Sequence, residues 1–197
     1  HKDQKSSYND LIRILDQHWE ESGFEFKQEN EQNRQDAEQM LKNYWNYIQA
    51  NPVNTLYTEH WFSFDTEFGS LNGKCDRIDI DDENNIYIID YKTSKTTKTK
   101  KDLKNSLQLG IYALFIITEG INLGGKLIQD FPKKLSMLFL REEEPEVSIV
   151  FTSVDIDKFK KQIQEVSDNI ANKNFEPCKG RYCDFCDYKE LLCPEFG

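Results

Sequence analysis

The sequence predicts an α/β chain of the α+β kind, with a central mixed, mostly antiparallel sheet flanked by helices. Three observations carry this. Apolar residues recur at helical spacing before residue 50 and again after residue 155. The middle of the chain holds strand-like runs, the clearest being Cys75-Asp76-Arg77-Ile78-Asp79-Ile80 and Ile86-Tyr87-Ile88-Ile89-Asp90-Tyr91-Lys92. These two runs flank Asp82-Glu83-Asn84-Asn85, the composition of a hairpin turn. Helices before and after a set of strands place helices on the faces of one sheet.

Taken in order, Ser6 or Ser7 can cap a first helix carrying Leu11, Ile12, Leu15 and Trp19, which Gly23 stops. A second helix is expected from about Gln32 to Gln49. Its apolar residues Ala37, Met40, Leu41, Tyr44, Trp45 and Ile48 form a stripe, and Asn51-Pro52 ends it. Strands are expected near 55–67, 73–81 and 86–92, followed by one long helix over roughly 102–118. Gly120, Gly124 and Gly125 mark loops. Two further strands are expected at 134–141 and 146–152, joined through Glu143-Glu144-Pro145. A last helix, about 155–172, carries Ile156, Phe159, Ile163, Val166 and Ile170 on one face.

The hairpin concentrates the chemistry. If Ile80 pairs with Ile86, the register also pairs Ile78 with Ile88 and Asp76 with Asp90. Strand side chains alternate faces, so Asp76, Ile78, Ile80, Ile86, Ile88, Asp90 and Lys92 would share one face. Two carboxylates and an amine would then stand at one end of a face otherwise made of isoleucine. Charges are costly to bury unless they are paired or hold a metal. Mg²⁺ takes oxygen ligands, and Asp76 and Asp90 can supply two. Such an ion neutralises charge developing on a phosphate, while Lys92 can orient water or stabilise the transition state. An ordinary strand-end ion pair between Asp90 and Lys92 is the plainer alternative. Cys75, one residue before Asp76, is expected on the opposite strand face as a small buried residue.

The set Gly73-x-x-Asp76, Asp90-Tyr91-Lys92 and Gln108-x-x-x-Tyr112 resembles the G-x-x-D, D-x-K and Q-x-x-x-Y pattern of the PD-(D/E)xK nuclease superfamily, in particular its RecB-like domains. The strings Asp76-Arg77-Ile78-Asp79 and Ile89-Asp90-Tyr91-Lys92-Thr93 look like the C-terminal nuclease domains of superfamily 1 helicase–nucleases. Trp19…Gly23-Phe24, Leu41-Lys42-Asn43-Tyr44 and a strand with Glu59 follow the same layout, so the resemblance covers nearly the whole chain. It implies a restriction-endonuclease-like fold, with 1–197 forming a single nuclease domain. It implies Asp76 and Asp90 as ligands of Mg²⁺ or Mn²⁺, Lys92 as catalytic, and Gln108 and Tyr112 as site residues. Tyr112 can equally be a core residue. Glu59 can be an auxiliary carboxylate or simply an exposed one. RecB-like domains also carry an upstream metal-binding His and an N-terminal cysteine. His1, His18 and His60 do not match that His, so the chain is expected to be N-terminally truncated and weak or inactive as an isolated fragment.

Four of the five cysteines fall in the last twenty residues, as Cys178-x4-Cys183-x2-Cys186-x6-Cys193. A Cys-x2-Cys flanked by further cysteines reads as a metal site more readily than as disulfides, provided the chain is intracellular. Four thiolates suit Zn²⁺ or an iron–sulfur cluster. The resemblance favours a 4Fe-4S cluster in a tail spanning 175–197, with Cys183, Cys186 and Cys193 as the family triplet and Cys178 as the extra ligand. Reduced structural thiols are the alternative.

The net charge of -10 opposes DNA binding by global charge. The distribution differs from the sum. Lys92, Lys95, Lys98, Lys100, Lys101 and Lys104 fall in one short stretch with a single acid, Asp102. This makes Lys95, Lys98, Lys100, Lys101 and Lys104 candidate DNA phosphate contacts beside Lys92, or else a solvated loop. No apolar run approaches a membrane span of about 20 residues, and no leader pattern is present, so an intracellular protein with no membrane partner is expected. The resemblance implies a cytoplasmic, nucleoid-associated nuclease of DNA repair or recombination. It would act as an exonuclease on single-stranded DNA, with a helicase domain in the same chain or complex. A non-cleaving DNA- or partner-binding module with the same fold is the alternative.

Overall fold

The computed structural model describes residues 7–20, 22 and 26–196. Ser6, Gly23, Phe24 and His1, which entered the sequence argument, lie outside the described residues. Helix α1 (Tyr8–His18) starts at Ser7, whose hydroxyl accepts from the Asp10 backbone while Asp10 caps in return. Helix α2 (Lys27–Ala50) begins a turn earlier than its apolar stripe indicates, because its first turns are polar. Trp19 donates to Asn30 across the α1–α2 contact at 2.8 Å.

Strands β1 (Asn54–Thr66) and β2 (Gly69–Ile80) form a long hairpin. Its turn uses Gly69 at φ 125°, a conformation other residues rarely adopt. Strand β3 (Ile86–Lys92) follows a turn held by Asp81, which accepts from the backbone N–H groups of Glu83 at 3.0 Å and Asn85 at 2.8 Å. The sheet order is β1-β2-β3-β6-β7, with β6 (Lys134–Phe139) parallel to β3 and β7 (Glu146–Ile149) antiparallel to β6. This is the expected mixed, mostly antiparallel sheet. A parallel pair needs a crossover, and the segment between β3 and β6 provides it.

That crossover is not one long helix over 102–118. It is broken into α3 (Lys100–Lys104) and α4 (Leu107–Thr118). Ser106 breaks the run by capping α4, accepting from the Leu109 N–H at 3.4 Å. A small hairpin, β4 (Ile121–Leu123) with β5 (Lys126–Ile128), occupies the glycine-marked region. Strands of three residues are too short for a period to show in sequence. The expected strand 146–152 stops at Ile149, because Thr152 caps helix α5 (Ser153–Ala171) in a reciprocal pair with Asp155.

One sheet face packs on α4 and α5, and the other lies under α2. Helix α4 is buried almost all round, from Leu109 to Ile116. A Cβ at Gly110 would come within 2.5 Å of the Phe159 ring, so this glycine sets the close approach of α4 and α5. Ile156, Phe159 and Ile163 of α5 enter the core, whereas Val166 and Ile170, expected on the same face, are more than half exposed. These two line a groove with Phe68, Leu71 and Ile111 instead, where Ser167 donates to the Phe68 carbonyl at 2.7 Å. Among the described residues no helix is long and apolar enough to cross a membrane.

Candidate active site

The β2–β3 ladder pairs Ile80 with Ile86 and Ile78 with Ile88, the register expected from the hairpin. It ends at Arg77–Ile89, so the expected Asp76–Asp90 pair does not form. Instead the Asp76 carboxylate accepts the Tyr91 backbone N–H at 2.8 Å. A side chain thus takes a position that a ladder carbonyl would otherwise fill.

Beside this point the β1–β2 ladder skips Glu59 and Asp76, between the pairs Thr58–Arg77 and His60–Cys75. Glu59 has φ 53°. Cys75 and Ile78 are three residues apart, and a regular strand would send them to opposite faces. Both enter the same apolar cluster, so the strand kinks at Asp76. This corrects the expected placement of Cys75: it is fully buried, but on the site's side of the sheet. Burial, with Asp76 and Asp90 nearby, pushes its thiol well above the ordinary range, which makes it an inert core residue.

Asp90, Lys92, Gln108 and Tyr112 meet in one connected cluster. Gln108 donates its amide N–H groups to Asp90 Oδ1 at 2.9 Å and to the Tyr112 hydroxyl at 2.9 Å. Its carbonyl accepts from Lys92 Nζ at 3.2 Å. Tyr112 donates to the Lys74 carbonyl at 3.0 Å. Every amide atom of Gln108 is therefore assigned, and the chain of contacts ties β3 through α4 to β2. Tyr112 is both things the sequence allowed, a core ring and a polar tip. Burial raises its pKa, so the hydroxyl remains a donor.

Asp90 is 1% exposed. Lys92 Nζ lies 2.5 Å from its Oδ2, close enough for an ion pair but not aligned as a hydrogen bond. Among the described residues this buried oxygen has no hydrogen-bond partner. Burial raises the Asp90 pKa, Lys92 opposes the rise, and the Asp76 charge adds to it. Lys92 and Gln108 sit at the solvent side of the cluster, which gives the buried carboxylate an opening.

The cluster has a packed support. Phe62 lies over Gly73, where a Cβ would come within 2.6 Å of the ring. Phe62 also stacks on Phe115 with centroids 4.7 Å apart and meets Tyr112 edge-on at 6.0 Å. Glu59 stands at the kink, exposed and ion-paired with Lys74. His60 stacks on Tyr57 at 4.5 Å, and burial lowers its pKa. His18 ends α1.

The other candidates scatter. Lys104 binds the Val150 carbonyl at 2.6 Å and Asp155 at 2.8 Å, while Lys100 and Lys101 line a groove beside β7. Lys95 and Lys98 are exposed in the loop after β3. In the tail, Cys178 and Cys186 are exposed, Cys183 and Cys193 half-buried, and all four are free thiols. The Gly180 N–H donates to Cys183 Sγ at 3.2 Å. Among the described residues no three or more His, Cys, Asp or Glu side chains are gathered to hold a metal, in the tail or elsewhere.

A second polar assembly lies on the opposite sheet face. On the α2 face, Arg77 Nε donates to Asp79 Oδ1 at 2.6 Å, and its NH1 reaches the hydroxyls of Tyr44 at 3.4 Å and Tyr91 at 3.5 Å. The alternation of Arg77 with Asp79 was the available signal, since residues two apart share a strand face.

A mixed sheet whose central strand carries carboxylate-x-lysine, met by a Gln/Tyr helix, defines a nuclease-type core. The chain belongs to the PD-(D/E)XK nuclease superfamily, whose family model matches residues 1–194. The fold is accordingly restriction-endonuclease-like, and members of this superfamily generally use divalent metal ions. No curated relative matches the chain. Among solved structures, it is similar to a protein described as "Putative exonuclease" from Eubacterium rectale, at 17% identity and TM-score 0.48 over 98% of this chain and 76% of that one. It is also similar to SSO0001, at 16% identity and TM-score 0.38 over 100% of this chain and 90% of that one. At these TM-scores the two likenesses add nothing to the family assignment.

Proposed function

We propose that this chain is a metal-dependent DNA nuclease domain that hydrolyses phosphodiester bonds. One observation carries the reading: a buried aspartate set against a half-exposed lysine at an opening, beside a second carboxylate on the adjacent strand. That donor set suits a hard divalent cation such as Mg²⁺ or Mn²⁺. Asp76 and Asp90 would hold it, with water and phosphate oxygens completing its shell. When bound, the ion supplies charge neutralisation at the scissile phosphate and acidifies water. Lys92 is placed to hold the attacking water or offset the phosphate's growing charge. Gln108 fixes both Asp90 and Lys92, and Tyr112 fixes Gln108.

The substrate and setting in this proposal are single-stranded DNA, attacked as an exonuclease, in repair or recombination inside the cell and beside a helicase. The domain is 1–197, with Cys178, Cys183, Cys186 and Cys193 of the 175–197 tail taking a 4Fe-4S cluster or Zn²⁺. Support for the tail is the Gly180 N–H already aimed at Cys183 Sγ, the kind of bond a metal-bound thiolate accepts. The rival, a non-cleaving DNA-binding module, is favoured by the lack of a third protein ligand near Asp76 and Asp90 among the described residues.

The deciding experiment incubates end-labelled single- and double-stranded DNA with Mg²⁺ or Mn²⁺, comparing the wild type with Lys92→Ala. Metal-dependent cleavage that disappears in the variant is expected. Absence of cleavage at every metal concentration would favour the binding module.

A further inference from the structure

A second basic site lies outside the catalytic cluster. Beside edge strand β7, α3 and the N-terminal ends of β3 and β6 enclose a groove of about 700 Å³, rimmed by Lys100, Lys101, Lys104, Lys133 and Lys134. Its floor is largely apolar, formed by Tyr87, Ile149 and Val150. In a chain of net charge -10, five lysines on one rim run against the overall balance.

The nearby acids are engaged within the chain, Asp81 by the Tyr87 hydroxyl at 2.9 Å and by Asn85. Glu146 takes Lys134 at 2.6 Å, and Asp155 takes Lys104 at 2.8 Å. Asp102 turns back to cap α3 through Thr99. Among the described residues, Lys100, Lys101 and Lys133 have no carboxylate partner within ion-pair distance. They stand on fixed backbone. Leu103 anchors α3 in the core, and the Lys133 N–H donates to the Ile86 carbonyl at 2.8 Å.

We infer that this groove binds a segment of single-stranded nucleic acid away from the point of cleavage. Phosphates would lie at Lys100, Lys101 and Lys133, and a base would lie on the floor at Val150 and the edge of Tyr87. The inference rests on the nuclease reading for its substrate. The volume exceeds what one phosphate needs and falls within the usual range for organic ligands. Lysines are point-charge partners for phosphate. The apolar floor gives unstacked bases a surface, whereas duplex DNA keeps its base faces covered. The groove is also near the reacting centre. Lys104 on its rim and Gln108 in the cluster are four residues apart, at most about 15 Å of chain. A strand passing Lys92 can reach the groove within a few nucleotides.

The test is fluorescence anisotropy of a labelled oligothymidylate in EDTA, where binding is read without turnover, over a salt series. Each phosphate contact on a single strand contributes about 0.7 to the slope of log K against log salt, so Lys100→Gln/Lys101→Gln/Lys133→Gln is expected to lose about 2 units of slope. A control with the same charge change elsewhere, Lys126→Gln/Lys173→Gln/Lys179→Gln, should keep it. Lys133→Glu alone should weaken binding by more than Lys133→Gln. An unchanged slope in the groove variant, with its melting temperature intact, overturns the inference. So does an equal loss in the control. Stronger loss on duplex than on single strands overturns the single-strand assignment. Failure here is separable from failure of the nuclease reading. Slope loss without cleavage by the wild type retains the groove and removes the enzyme; cleavage with an unchanged slope does the reverse.

Discussion

Strands β2 and β3 carry a polar cluster on each face, and the two are built differently. On the α2 face, Arg77 and Asp79 are both buried and bonded to each other, with Tyr44 and Tyr91 closing over them. On the α4 face, Asp90 is equally buried, but its lysine reaches solvent. The first assembly is sealed from solvent, although Asp79 Oδ2, like Asp90 Oδ2, has no hydrogen-bond partner among the described residues. The second sets a buried carboxylate against a half-exposed lysine at an opening. A few residues of the same two strands thus support one cluster closed to solvent and another whose basic partner reaches it. The same contrast separates structural from reactive charge when burial alone does not.

Breaking the closed cluster should have the largest effect on stability. Removing one partner of a buried ion pair costs about 3–5 kcal/mol, so Asp79→Ala should lower the urea midpoint sharply, leaving Arg77 buried without its counter-charge. A change below about 1 kcal/mol would show that the pair is not sealed. Breaking the open cluster should instead act on the reaction. Lys92→Ala should reduce metal-dependent cleavage by about 100- to 1,000-fold, the usual effect of losing one electrostatic contact to the transition state. Its melting temperature should also fall at neutral pH, because the buried Asp90 carboxylate loses its counter-charge.

The pH response sharpens the contrast. Burial raises the Asp90 pKa above 3.8, so between that value and the raised one the native state holds a proton that the unfolded chain has released. Ionised Asp90 therefore lowers stability as pH rises through that window. Without divalent ions, Asp90→Asn should melt higher than the wild type at neutral pH, with the gap closing as pH falls towards 3.8. Added Mg²⁺ or Mn²⁺ should stabilise the wild type and not the variant, and should do so less at acidic pH, where protons compete for Asp90. The smallest effect belongs to the tyrosine lid. Tyr44→Phe removes long contacts of 3.4 Å to Arg77 and Tyr91, and should cost no more than about 1 kcal/mol in denaturant unfolding.

The β2–β3 register from Ile78 to Ile88, and with it the shared face of Asp90 and Lys92, was legible because period-2 alternation is a local property, whereas the Gln108–Tyr112 pair came from its resemblance to a family motif. What stayed hidden depends on contacts between distant segments. The kink at Asp76 arises where the β1–β2 ladder skips a pair and the β2–β3 ladder ends, and nothing in Lys74-Cys75-Asp76 marks it. The split of 102–118 turns on Ser106 choosing to cap, which a polar residue in a helical run does not announce. Lys100 and Lys101 were read as neighbours of Lys92 because they follow it in sequence. The wrapping of α3 along β7 sends them instead to meet Lys133, some thirty residues on.

The glycine at position 73 has an ordinary backbone; what it contributes is room. Because the Phe62 ring rests on its bare Cα and touches both Phe115 and Tyr112, any added side chain there would lift the ring and displace the tyrosine whose hydroxyl bridges Lys74 and Gln108. The Asp90–Lys92–Gln108 cluster is therefore set from behind, by a spacer of zero thickness. A sequence that thickens it, even by a methyl group, should mistune Asp90 and Lys92 while leaving both in place.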